Sequence, residues 1–181
     1  MNIVELEQVE KRYRGVHALK GLNLALKQGE ILGLFGHNGA GKTTTIKLIL
    51  GLIEASQGKV RVFGADPTRS EARNQRRQLG FLQENVSFYD QLTGLEVLNY
   101  FDPLATQDFY QRLKRLQEQG CTVIICSHVL PGVEKYIDRA LIMGRGELLA
   151  EGNLHDLRQQ ANLPLTLQLQ GAIELPEALR A

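Results

Sequence analysis

Eight consecutive residues, Gly36-His37-Asn38-Gly39-Ala40-Gly41-Lys42-Thr43, follow the spacing G-x-x-x-x-G-K-[ST] in full. Residue types in that order can hold a polyphosphate. The glycines let backbone N–H groups turn inward around phosphate oxygens, where a Cβ would collide. Lys42 supplies a cation for the β- and γ-phosphates, and the Thr43 hydroxyl can ligate Mg²⁺. His37 stands at a variable position of the loop, where its backbone matters more than its ring; Asn38, Gly39, Ala40 and Thr44 complete the set. The expected ligand is ATP with Mg²⁺. A glycine-rich turn that matches by chance is the alternative, and the flanking elements weigh against it.

Those elements are of the required kind. Residues 31–35 form a run without polar side chains between Gly29 and Gly36, as a buried strand demands. Residues 43–53 carry Ile46, Ile49, Leu50 and Ile53 at helical spacing. A helix beginning near Gly41 would aim its positive end at the same phosphates. Upstream, residues 3–9 alternate apolar and charged side chains and residues 18–26 alternate less cleanly, which predicts two half-buried antiparallel strands. Residues 59–63 read as a further strand closed by Gly64. Downstream, residues 107–119 predict a helix with Phe109, Leu113 and Leu116 on one face and Gly120 as its stop. Residues 121–126 predict a buried strand, and residues 131–137 a short helix with proline in its first turn. Residues 140–143 predict a strand turned by Gly144-Arg145-Gly146 into 147–150, and residues 163–169 alternate like a strand. Helix and buried strand in alternation predict an α/β fold: a mainly parallel core sheet covered on both faces, with an N-terminal antiparallel β subdomain.

Bulk properties exclude several roles. Lys plus Arg is 21 and Asp plus Glu is 20, so no net field draws the chain to nucleic acid or membrane. The local basic run at 69–77 is broken by Glu71 and reads as a solvated helix face. No stretch has the apolar length to span a bilayer, and Met1-Asn2-Ile3-Val4-Glu5 lacks the regions of a signal peptide. A cytoplasmic chain is expected, with any spanning helices supplied by another subunit. Cys121 and Cys126 have odd spacing on the predicted strand and point to opposite faces, so they neither pair nor share a metal. Buried, reduced thiols are expected there. His17 and His155 read as surface residues.

Around the loop the sequence resembles the ABC-transporter ATPases, a P-loop NTPase family, and the resemblance implies further roles. Tyr13, between the first two strands, stands where that family places an aromatic ring stacked on adenine. Leu79-Gly80-Phe81-Leu82-Gln83-Glu84-Asn85 resembles the Q-loop, which reaches Mg²⁺ and the attacking water and contacts the membrane subunit. The family usually reads Pro-Gln where this chain reads Gln83-Glu84, so its glutamine position falls on Glu84. A carboxylate can ligate Mg²⁺ as an amide can, and the choice between Gln83 and Glu84 stays open. Ser127-His128 resembles the switch histidine, with His128 contacting the γ-phosphate and orienting the hydrolytic water. It follows a core strand at its carboxyl end, where α/β sheets bind ligands. Ile137-Asp138-Arg139 and Gly144-Arg145-Gly146-Glu147 also resemble the family after this histidine.

Two family elements have no counterpart: an apolar strand ending in Asp-Glu, and a serine-glycine signature that a partner subunit presses against the γ-phosphate. The nearest match to the first, Val97-Leu98-Asn99-Tyr100-Phe101-Asp102, places Asn99 badly for a buried strand, and no Glu follows Asp102. Asp102-Pro103-Leu104-Ala105-Thr106 resembles the D-loop instead, and Phe101 the entry to the helical subdomain that carries the signature. The chain therefore jumps, between Phe101 and Asp102, over several dozen residues. Omission and deletion of a helical subdomain both explain the jump; the match on both edges favours omission, since such a subdomain is peripheral. The implied organisation is an ATP-binding domain over residues 1–152, interrupted between 101 and 102, and the start of a C-terminal extension over 153–181.

Four strings look like one branch of the family: residues 33–38, 84–89, 105–110 and 126–134. That branch serves maturation of nitrous oxide reductase, and the likeness covers residues 1 to about 165 outside the jump. It implies a second copy of the chain around two ATP molecules, a membrane permease, a periplasmic maturation protein, and assembly of a copper–sulfur centre. The chain would lie on the inner face of the membrane, held by its permease. A nucleotide-binding module that does not hydrolyse ATP is the alternative if the subdomain is deleted. Soluble relatives acting in translation or DNA repair usually carry two such domains or long coiled-coil insertions, which this chain lacks.

Overall fold

The computed structural model describes residues 1–81, 103–127 and 133–160. Its strands are β1 (Asn2–Tyr13), β2 (Val16–Lys27), β3 (Ile31–Phe35), β4 (Gln57–Val62), β5 (Val123–Ser127), β6 (Arg139–Gly144) and β7 (Glu147–Gly152). Its helices are α1 (Lys42–Ile49), α2 (Arg73–Arg76), α3 (Pro103–Glu118) and α4 (Leu154–Gln160). Two sheets result: an antiparallel one in the order β2-β1-β4, and a core sheet in the order β5-β3-β6-β7. In the core sheet β3 runs parallel to both β5 and β6, and β7 returns antiparallel to β6.

Period-2 patterning builds the first sheet, and a bulge explains where the pattern breaks. Val4 and Leu6 are buried, but the next buried position on β1 is Val9. Between them the register against β2 slips, with Gln8 at φ 48. The extra residue is fixed by Gln8 N–H donating to Asn23 Oδ1 at 2.9 Å. Opposite it, β2 changes phase between Leu19 and the Leu22, Leu24, Leu26 series, which is why residues 18–26 alternate poorly. β3 is buried at all five positions because a strand pairs on each side of it and a hydrophobic cluster covers each face.

One hydrophobic cluster joins the two sheets and α1, through Val4, Leu6, Leu22 and Leu24, Leu32 and Leu34, Leu48 and Ile49, and Leu141 and Met143. A second lies on the other face of the core sheet, around Phe35, Val133, Ala140 and Leu157. Side chains buried this fully contribute on the order of 1.5–3 kcal/mol each, so the sheet is held from both faces as the alternating pattern predicts.

The amino ends of the parallel strands are closed by side chains. Ile31 N–H donates to Asp138 Oδ2 at 2.8 Å, Gln117 Nε2 donates to Gly29 O at 2.7 Å, and Gly29 N–H donates to Thr122 Oγ1 at 2.8 Å. Arg139 Nε donates to Glu30 Oε1 at 2.6 Å, while its Nη2 reaches Ala25 O on β2 and its Nη1 reaches Glu151 on β7. The hydrogen bonds to Glu30 push the Arg139 pKa above its ordinary value.

Several expectations are corrected. α1 ends at Ile49 and buries Thr45, Leu48 and Ile49; the expected Ile46 and Leu50 are only partly buried, because the glycine loop sets the helix's phase. On α3, Phe109 and Leu116 are 43% and 42% exposed. The inward face is turned toward Tyr110, which stacks on Tyr136 at 5.0 Å, and Gln117, which bonds Gly29 and Asp138. Residues 133–136 form a turn, closed by Tyr136 N–H to Val133 O at 3.0 Å, where a helix was expected. β5 is half-buried throughout, lying at the sheet's edge among the described residues. It starts at Val123, which leaves Cys121 exposed in the preceding loop and Cys126 half-buried, neither of them in a disulfide. His17 is half-buried too, with Nε2 3.3 Å from Glu10 Oε2. The expected strand at 163–169 and the jump between Phe101 and Asp102 lie outside the described residues. Among those described, no helix is long and apolar enough to cross a membrane.

Candidate functional site: the loop between β3 and α1

β3 delivers the chain into the glycine loop and α1 receives it, so residues 36–43 sit at the carboxyl end of the central strand. The close approach of backbone dictates two of the glycines. A Cβ on Gly36 would lie 2.4 Å from Met143 O and 2.8 Å from Ala40 Cβ. Gly41, at φ 108, would place a Cβ 2.8 Å from Leu19 Cδ2 and 3.0 Å from Ala18 O. Ala40 N–H closes the turn on His37 O at 3.1 Å.

Gly41 is the N-cap of α1 and supplies no side-chain cap, and the first turn contains no acid. The leading N–H groups of a helix have no intrahelical acceptor, so this end offers donors and a positive dipole to an anion. A carboxylate in that turn would compete for both.

Lys42 Nζ donates to Gly36 O at 2.5 Å and to His37 O at 3.2 Å, which holds the ammonium at the opening of the loop. Thr43 is exposed beside it and Thr44 half-buried. The His37 ring is exposed and its Nδ1–H donates to Asn38 O at 2.7 Å, so the ring braces the loop's own backbone. Asn38 and Gly39 are also exposed, and Ala40 is buried.

Tyr13 closes β1, pairs with Val16 across the β1–β2 turn and is 46% exposed. Lys11 Nζ lies 5.2 Å from the centre of its ring. The strand that follows, β2, carries Leu19, whose side chain packs where a Gly41 Cβ would stand. The hairpin bearing Tyr13 and the glycine loop are thus joined through β2.

Gln83, Glu84, Asp102 and His128 lie outside the described residues. The strand leading to His128 is described: β5 pairs with β3 so that Ser127 is level with Phe35. Sequence reading missed the residues beneath the loop, Thr45 and Met143; neither carries a local signal, and only the pairing of β6 with β3 brings Met143 there.

A central parallel strand, a glycine loop with a lysine, and a helix starting on that loop define a nucleoside-polyphosphate-binding α/β domain. The profile described as "ABC transporter" matches residues 19–138, and the chain belongs to this family. An ABC transporter ATP-binding protein of Synechocystis is 30% identical over 230 positions, covering 86% of this chain and 64% of that protein. A probable multidrug ABC transporter ATP-binding protein of Escherichia coli is 25% identical, covering 88% of this chain and 38% of that protein. The dimeric structure of a bacterial ABC transporter cassette superposes with a TM-score of 0.67 at 20% identity, over 84% of this chain and 99% of that one. The chain therefore spans less than two thirds of the length of the two relatives. An aligned span of 230 positions also exceeds the 181 residues of this chain, so dozens of the relative's positions have no counterpart here.

Proposed function

We propose that this chain is the ATP-binding and ATP-hydrolysing subunit of an ABC transporter, powering a membrane permease from its cytoplasmic side. The observation that carries the reading is the glycine loop. Gly36 and Gly41 are packed too closely to admit a Cβ, and Lys42 stands at the mouth of an uncapped helix. In this reading residues 36–44 hold the phosphates and Tyr13 stacks on adenine. Thr43, with Gln83 or Glu84, would hold Mg²⁺, which supplies charge for the β- and γ-phosphates. His128 stabilises the γ-phosphate and the attacking water as charge develops.

The domain would run from residue 1 to 152, with 153–181 opening a C-terminal extension and Asp102 opening a D-loop. A second copy of the chain would close the site around two ATP molecules, as the dimeric cassette supports by its fold. The finer reading is a NosF-like ATPase of a NosDFY-type transporter, with a periplasmic maturation protein and a copper–sulfur centre of nitrous oxide reductase as the product served. It is supported by the branch-like strings at 33–38, 84–89, 105–110 and 126–134. Loss of that centre in a strain lacking the subunit, restored by this sequence completed with the helical segment, tests it; failure to restore removes the branch assignment.

In the complete transporter, His128→Ala should lower turnover while leaving ATP affinity nearly unchanged, as for an interaction made mainly in the transition state. Equal losses in both would refute that role. The 181-residue chain alone lacks the Asp-Glu strand and signature; it should bind ATP weakly and hydrolyse it at background rate. Robust hydrolysis abolished by Lys42→Ala would overturn this and make Asp102 the carboxylate to test.

A further inference from the structure

Thr45 is the single buried polar side chain among the described residues, with a relative exposure of 0%. A threonine within a helix faces solvent or bonds the carbonyl four residues back, and burying a hydroxyl costs free energy unless it is bonded. Here Oγ1 donates to Gly41 O at 3.1 Å, and the Met143 sulfur lies 4.0 Å from the same oxygen. A hydroxyl carries one proton, so Gly41 O takes the bond and the thioether is a packing contact. Met143 comes near the loop twice more: its carbonyl is close enough to Gly36 to exclude a Cβ there, and its Cε would lie 3.2 Å from a Cβ on Gly41.

The turn after Met143 completes the contact. Gly146 N–H donates to Ala40 O at 3.0 Å, and Lys20 N–H donates to Gly146 O at 2.9 Å. A Cβ on Gly146 would stand 2.7 Å from Ala18 O. Two loop residues are thus held by hydrogen bonds, Gly41 by Thr45 and Ala40 by Gly146, and Met143 packs closely beside Gly36 and Gly41.

We propose that Thr45, Met143 and the Gly146 turn form a brace that positions the phosphate-binding loop, with Thr45 the positioning residue whose hydroxyl fixes the Gly41 peptide. The inference rests on the nucleotide-binding reading. Thr45 N–H donates to the same carbonyl at 2.9 Å, so the hydroxyl adds a second bond to it. Without that bond the Gly41 peptide is held by one donor in place of two, and the loop's donors are aimed less firmly at phosphate. The loss therefore falls on phosphate affinity and spares adenine contacts.

The test titrates the full chain with Mg·ATP and with inorganic triphosphate, comparing wild type, Thr45→Val, Thr45→Ser and Lys42→Ala. Valine keeps the shape and removes the donor; serine keeps the donor. Thr45→Val should lose roughly three- to tenfold in affinity for both ligands, the range set by one hydrogen bond. Thr45→Ser should stay within about twofold of wild type by the same reasoning. A merely structural threonine would lower the melting temperature of Thr45→Val without moving either Kd measured well below it, and that result overturns the brace. So does a serine variant as weak as the valine one. If wild type and Lys42→Ala bind both ligands equally, the phosphate-site reading fails and the brace falls with it.

Discussion

β3 and β5 run parallel, and at the carboxyl end of β3 the chain places glycines, backbone donors and a lysine bonded, among the described residues, to the loop's own carbonyls. At their amino ends it places Glu30, Gln117, Thr122, Asp138 and Arg139, bonded to one another and to the backbone of β2, β3 and β7. One end is thus a polar network closed by its own side chains, and the other a loop whose backbone donors suit an anion. The first can hold the fold without a ligand. The second gains its full set of bonds only when a polyphosphate arrives, so charge removed there should cost binding, whereas charge removed at the other end should cost stability.

The largest expected effect falls on the open end. Lys42→Ala removes the cation that compensates the β- and γ-phosphates, and charge-assisted bonds of this kind are the strong ones. Binding of Mg·ATP in a calorimetric titration should disappear, while the melting temperature stays near that of wild type. Unchanged ATP affinity would defeat the loop as the binding site.

Arg139→Leu probes the closed end. Arg139 and Glu30 are 21% and 10% exposed as side chains, so the guanidinium's loss leaves a nearly buried carboxylate with its bond from Lys27 N–H but without its counter-charge. Removing one partner of such a pair costs about 2–3 kcal/mol, or on the order of 5–10 °C in melting temperature for a chain of this size. ATP affinity measured well below that temperature should not change. A variant that melts normally but binds ATP poorly would erase the contrast between the two ends.

The two ends also differ in how far they can be read from residues alone. The glycine loop is legible because its chemistry is local: eight adjacent residues must turn the backbone, and their spacing records that demand. The closed end is illegible because Arg139 and Glu30 are separated by 109 residues, and Ile31 and Asp138 by 107. Only the parallel register of β3 with β6 brings them together. α3 shows the same limit within one helix. Its apolar spacing selects Phe109, Leu113 and Leu116, but long-range bonds from Gln117 and stacking of Tyr110 on Tyr136 turn a neighbouring face inward. Tyr13 is intermediate: its place in the chain follows from the resemblance, and the open ring follows from its position at the end of an exposed hairpin.

Tyr13 carries the smallest expected effect and tests whether the open end has a second grip, on the base. Lys11 sits 5.2 Å from the ring centre, which occupies one face with a cation and leaves the other for a base. Stacking of a base on an aromatic ring contributes roughly 1–3 kcal/mol by alanine substitution, so Tyr13→Ala should weaken ATP by that amount. Tyr13→Phe keeps the ring face and the contact with Lys11, and should cost little. Inorganic triphosphate has no base, and its affinity should be the same in all three proteins. Equal losses from alanine and phenylalanine would point instead to a bond from the phenol hydroxyl. A fall in triphosphate affinity in Tyr13→Ala would show that the hairpin supports the loop mechanically through Leu19, with no separate grip on the base.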